Sequence, residues 1–148
     1  MEMGSISKNF SYSEFEASET AKAKGILNAI TTVEVRENIR ALVLEVLQPL
    51  RDAWGKPLHV NSGYRCPQLN AAVGGVPTSQ HTVGEAADIK AENPIMLAQL
   101  AYDLALPFDQ MIIYPTFVHF SHRRGGPQRC RVLYNKSYKG RHITTLTR

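Results

Sequence analysis

The sequence predicts an α+β domain, a helical N-terminal half packed on a small antiparallel sheet. Three observations carry that expectation. Val35, Ile39, Leu42, Val43, Val46, Leu47 and Leu50 recur at spacings of three and four, the period of one apolar helix face. Short alternating runs follow only in the later half, at Glu85 to Ala91, Gln110 to Ile113, Phe117 to Ser121 and Arg131 to Tyr134. Between them there is little chain for repeated strand-helix crossovers, which disfavours a doubly wound parallel sheet.

Taken in order, the first elements are marked by capping. Ser11 with Glu14, and Thr31 with Glu34, have the spacing at which a hydroxyl and a carboxylate satisfy each other's free backbone donors at a helix start. The second of these helices carries the long stripe and is expected to end near Gly55. Pro49 lies inside the stripe, where a missing N–H and a steric clash predict a kink or an early end. Leu58 and Val60 alternate with polar neighbours in a short strand running to Gly63. From Tyr64 to Gly84 the chain holds Pro67, Gly74, Gly75, Pro77 and Gly84, so a turn-rich loop with sparse regular structure is expected. Asn93 and Pro94 supply an N-cap and a first-turn proline for a helix bearing Leu97, Leu100, Ala101 and Leu104.

Composition excludes several classes. A chain of 148 residues, 43% hydrophobic and 20% charged, has the makeup of a soluble globular protein and a length suited to one domain, residues 1–148. Met1 to Phe10 lack the basic start and apolar run of a signal peptide, and no apolar stretch approaches the ~20 residues of a membrane span. The two cysteines, Cys66 and Cys130, form no C-x-x-C pair and read as buried or free thiols rather than metal ligands or a redox couple. Net charge is +4, yet Ser121 to Arg148 carries eight Lys or Arg and no acid, so the remaining residues together carry −4. Such an end suits an anionic polymer or simply a solvated face. No nucleic-acid reading motif or stacking cluster accompanies it, which argues against nucleic acid as a partner.

The chemistry gathers in two short stretches. Ser79-Gln80-His81-Thr82-Val83-Gly84-Glu85-Ala86-Ala87-Asp88 sets an imidazole and a carboxylate seven residues apart across a glycine. Gly84 and the strand-like tail argue for His81 on a loop and Asp88 on a strand, with the glycine letting the backbone turn between them. In Phe117-Val118-His119-Phe120-Ser121, period-two alternation puts Phe117, His119 and Ser121 on one face. Two imidazoles and one carboxylate, with a fourth position left for water, form the donor set of a catalytic zinc site; structural sites are usually closed and thiolate-rich.

These stretches resemble the M15 family of zinc peptidases. The likeness rests on Ser62-Gly63-Tyr64-Arg65-Cys66-Pro67, Leu69-Asn70, Val73-Gly74-Gly75, the S-x-H-x-x-G-x-A-x-D run from Ser79 to Asp88, and Val118-His119-Phe120-Ser121. It extends upstream to Leu47 to Asp52 and downstream to Phe108-Asp109-Gln110. The resemblance implies a hedgehog/DD-peptidase type fold with a metal cleft on its sheet, zinc as cofactor, and His81, Asp88 and His119 as ligands. It also implies Arg65 beside the bound substrate as a catalytic residue, and Ser79 near the substrate pocket. A planar, permanently charged guanidinium suits the first of these roles because it can steady a carbonyl oxygen as charge develops.

The activity implied is hydrolysis of an amide bond in peptidoglycan stem peptides, as a carboxypeptidase or an endopeptidase of the phage-lysin kind. A chain made in the cytoplasm would then need release or export to reach the cell wall. One departure stands out. The family places an acidic residue or histidine two or three positions before its last ligand as general base, and those positions are Phe117 and Thr116 here. Glu85, Asp109 and His122 are the displaced candidates, and Tyr114 offers a hydroxyl. Solvated surface roles are expected for all three displaced candidates. A peptidoglycan-binding member of the fold without catalysis is the alternative.

Overall fold

The structure, a computed structural model, describes residues 4–135. Lys136, Lys139, Arg141 and Arg148, half of the basic end noted above, lie outside the described residues. The chain opens with a short hairpin, β1 (Ser5–Ser7) and β2 (Phe10–Ser11), and two brief helices, α1 (Tyr12–Glu16) and α2 (Glu19–Lys24). Ser11 and Glu14 form the expected capping box of α1. Neither the hairpin nor α2 was expected from periodicity, being too short to carry a period.

The long apolar stripe forms α3 (Val33–Leu42), a π-helical turn (Val43–Leu47) and α4 (Gln48–Trp54) in succession. Its N-cap is Thr32, whose side chain accepts from Val35 N–H, so the expected start at Thr31 is one residue early. Pro49 neither ends the helix nor begins a break. The preceding turn widens, with Gln48 N–H reaching the carbonyl of Val43 five residues back, and the proline falls in the first turn of α4. Because the helix runs on through it, the missing donor is accommodated by that widened turn rather than by a helix start. The helix stops at Gly55, as expected.

Next come β3 (His59–Ser62), α5 (Pro67–Ala72), a 3₁₀ turn (Gln80–Val83), β4 (Ala86–Lys90), α6 (Pro94–Asp103), β5 (Gln110–Ile113), β6 (Phe117–Ser121) and β7 (Arg131–Tyr134). The region expected to be mostly irregular thus holds a six-residue helix, α5, with Pro67 in its first turn. Asn93 caps α6 by accepting from Met96 N–H.

The sheet runs in the order β3-β4-β6-β5-β7. It is antiparallel across the first four strands, and β7 joins β5 in parallel at the edge. Alternation divides its two faces. Val60, Ala87, Ile89, Val118, Phe120, Met111 and Ile113 point into one core with Ile39, Leu42, Val43, Val46, Leu47 and Leu50 from the helical stripe. All of these stripe residues are at most 1% exposed. Each large side chain so buried contributes roughly 1.5–3 kcal/mol. The architecture is therefore α+β, a helical half on a small sheet. The opposite face of β4, β5 and β6 is left for the cleft.

Candidate metal centre

Strand register builds the centre of the site. Asp88 on β4 lies directly opposite His119 on β6, and Ser62 on β3 lies opposite Asp88 on its other side. The register shift between Val60 and Ser62 matters, because it turns Ser62 to the cleft face although Val60, two residues earlier, faces the core. His81 arrives on the 3₁₀ turn, which Ser79 caps by accepting from His81 N–H.

Two glycines let this turn sit where it does. Gly84 ends it at φ +80, and a Cβ there would lie 2.7 Å from the Val35 carbonyl of α3. Gly63 packs so closely on α1 that a Cβ would come within 2.7 Å of the Phe15 Cα. Its carbonyl accepts from His81 Nδ1 at 2.6 Å, which leaves His81 Nε2 turned to the cleft.

His81, Asp88 and His119 each offer a ligand atom, and these atoms lie within 4.8 Å of one another. His81 Nε2 is 3.3 Å and His119 Nδ1 2.9 Å from the same Asp88 oxygen. Tetrahedral bonds of about 2.0–2.2 Å to zinc need donor atoms roughly 3.4 Å apart, so the spacing fits a metal ion. The hydrogen bond from the second nitrogen of His81 to a carbonyl also fits, since such partners set the tautomer of a metal-binding imidazole. Burial alone would raise the pKa of Asp88, but hydrogen bonds from His119 and His81 outweigh it and hold the carboxyl below the usual carboxylate range.

Arg65 lies in the same cleft, with Nη2 3.8 Å from Asp88 Oδ2. Its Nε donates to Ser62 Oγ at 3.3 Å and its Nη1 to Asn70 Oδ1 at 3.2 Å. Asn70, buried on α5, also donates to the Val76 carbonyl at 2.8 Å. Burial lowers the Arg65 pKa and the neighbouring Asp88 charge raises it. Ser79 lines the cleft as well, although its hydroxyl is already engaged with the turn.

The cleft, about 400 Å³, is walled further by Gln80, Gln110, Ile112, Tyr114 and Arg129. Tyr114 stacks on Phe117 with ring centroids 4.1 Å apart. Burial first, and Asp88 second, raise the Tyr114 pKa and keep its phenol neutral. None of Glu85, Asp109 and His122 lines the cleft. The surface roles expected for them need correction at two positions. Asp109 is wholly buried in a bidentate pair with Arg129, and His122 is buried with Nδ1 2.7 Å from the Pro107 carbonyl. Asp109 was missed as a structural residue because its partner lies 20 positions away and no local pattern links them. Cys66 and Cys130 are both free thiols.

A two-histidine, one-carboxylate cluster in a cleft on the polar face of a small mixed sheet defines a protein built to hold a metal ion beside an arginine. Residues 8–121 match Peptidase M15, and the chain belongs to that family. A curated relative, the zinc D-Ala-D-Ala carboxypeptidase of Streptomyces albus G, is 37% identical over 84 residues, which cover 56% of this chain and 31% of the relative. The matched region thus spans about a third of that relative's length.

Proposed function

We propose that the chain is a single peptidase domain that hydrolyses an amide bond in bacterial peptidoglycan stem peptides, with zinc held by His81, Asp88 and His119. The carrying observation is the convergence of those three donors in a cleft that also holds Arg65. Membership of the peptidase family and the name of the Streptomyces relative support the reaction and the metal. Zinc bound there would polarise the scissile carbonyl and lower the pKa of a water molecule.

The protein's own groups have separate tasks. Asp88 is ionised throughout the working pH range and supplies the anionic donor. The Gly63 carbonyl fixes His81 in the tautomer whose Nε2 lone pair faces the cleft. Arg65, anchored by Ser62 and Asn70, keeps a rigid positive charge where the carbonyl oxygen gains negative charge, so little reorganisation is needed during reaction. Ser79 borders the same space and contacts substrate. The neutral Tyr114 phenol, on the cleft wall, donates a hydrogen bond to the substrate.

Mass analysis of muropeptides after digestion with zinc-loaded protein tests the proposal and names the bond cut. A new amine and shortened stems are expected, and their pattern separates carboxypeptidase from endopeptidase action of the phage or prophage lysin kind. One observation favours a second reading. Among the described residues lining the cleft, Asp88 is the only carboxylate, and Thr116 and Phe117 stand where the family places its base. If zinc-loaded protein sediments with peptidoglycan of several chemotypes and releases no amine, the chain is a binding module.

A further inference from the structure

We infer that Arg129 and Gln110 form a carboxylate-recognition subsite at one end of the cleft, selecting peptides that carry a free carboxylate about two residues from the cleaved bond. The inference rests on the peptidase reading above and names a feature of its substrate.

Arg129 is held from behind. Its Nε donates to Asp109 Oδ1 at 3.0 Å, its Nη2 to Asp109 Oδ2 at 2.7 Å, and its backbone N–H to Oδ1 at 2.9 Å. Asp109 is 0% exposed and accepts in addition from Gln80 Nε2 at 3.1 Å. The Arg129 side chain, by contrast, is 43% exposed and lines the cleft. A guanidinium has five N–H donors in a fixed fork, and Asp109 takes only those on Nε and one on Nη2. The remaining edge faces the Gln110 amide. With that amide turned, its oxygen accepts from both Nη atoms at 3.2 Å, so an acceptor already sits where a carboxylate would bind. An incoming carboxylate replaces that oxygen, and Gln110 then presents its NH₂ as a further donor.

Register places this subsite relative to the reaction. Ile112 is opposite His119, and Gln110 is two residues along the same strand, a displacement of about 7 Å. An extended peptide covers about 3.3–3.6 Å per residue, so an anion at Arg129 lies roughly two residues from a carbonyl at the metal. Arg65 is committed to the metal end by Asp88, Ser62 and Asn70. Among the described residues lining the cleft, Arg129 is therefore the cationic group left for a second substrate charge. A terminal α-carboxylate and an acidic side chain share this chemistry.

Three peptides separate those sources: a synthetic stem pentapeptide ending in D-Ala-D-Ala, its C-terminal amide, and the form in which the free carboxylate of D-Glu is amidated (D-isoglutamine). The readouts are kcat/KM with the zinc-loaded full chain and Kd by calorimetry with the chelated full chain. Neutralising the recognised carboxylate is expected to weaken both about 10- to 100-fold in the wild type, as for loss of a charged hydrogen bond. In R129Q that ratio should collapse toward one, and R129K should retain part of it because the charge remains while the fork is lost. Circular dichroism establishes that each variant is folded. A folded R129Q that keeps the wild-type ratio overturns the subsite, as does equal binding and cleavage of all three peptides by the wild type. In that last case the peptidase reading stands. If no peptide is cleaved but the affinity ratio depends on Arg129, the peptidase reading falls and the subsite stands.

Discussion

Asp88 is the residue on which the two histidines and Arg65 converge, and losses around it should differ in kind. Replacing His81, Asp88 or His119 by alanine should abolish stoichiometric zinc in elemental analysis, because two remaining donors make a weak site. Arg65→Ala should leave zinc content intact while slowing peptide hydrolysis about 10²-fold or more, the usual scale for losing one contact to a developing oxyanion. Unchanged turnover would assign Arg65 to a structural ion pair. Phe117 allows the reverse experiment. It shares the cleft face with His119 and occupies a position where the family carries its base, so Phe117→Glu should raise kcat about tenfold or more if proton transfer limits the reaction. A flat response would mean that the base is not what the chain lacks.

At the scale of elements, the turn bearing His81 depends on its contact with α3. Gly84→Ala would place a side chain on left-handed backbone and against the Val35 carbonyl, so the variant should lose at least about 1–2 kcal/mol of stability in denaturant titration. Much of this region was legible beforehand: the alternation in β6 fixes which face His119 takes, and Gly84 separates a loop-borne imidazole from a strand-borne carboxylate. The limits were also local. The six residues of α5 are too few to show a helical period, and its first-turn Pro67 reads equally well as a turn. The π turn before Pro49 is a backbone adjustment with no signature in side-chain spacing. The cap falls at Thr32 rather than Thr31, and since both are threonines the residue type does not distinguish them.

Across the whole molecule, the Asp109 and Arg129 pair joins the loop before β5 to the segment before β7. Burial alone would raise the Asp109 pKa, but hydrogen bonds from Arg129 and Gln80 bring it down from 3.8 to about 2. A carboxyl depressed in the folded state adds stability that is fully present above about pH 3.8 and is lost as pH falls through about 2. Wild-type protein should therefore lose stability over that window in acid titration, and Asp109→Asn should flatten the change while lowering stability at neutral pH. No helix among the described residues is long and apolar enough to cross a membrane. The basic end continues past residue 135, where spacing and charge remain the guides.

The division of β4 into alternate faces has a consequence for how this chain tolerates change in length. Asp88 stands between Ala87 and Ile89, both wholly buried, so deleting one residue within the strand would exchange the two faces. The carboxylate would enter the core and an isoleucine would enter the cleft. Metal binding and folding would fail together, and such a deletion should yield insoluble protein rather than a soluble, zinc-free one. Insertions and deletions compatible with a working site are thereby confined to the connections between strands, which makes loop length the freer variable through which cleft shape can diverge.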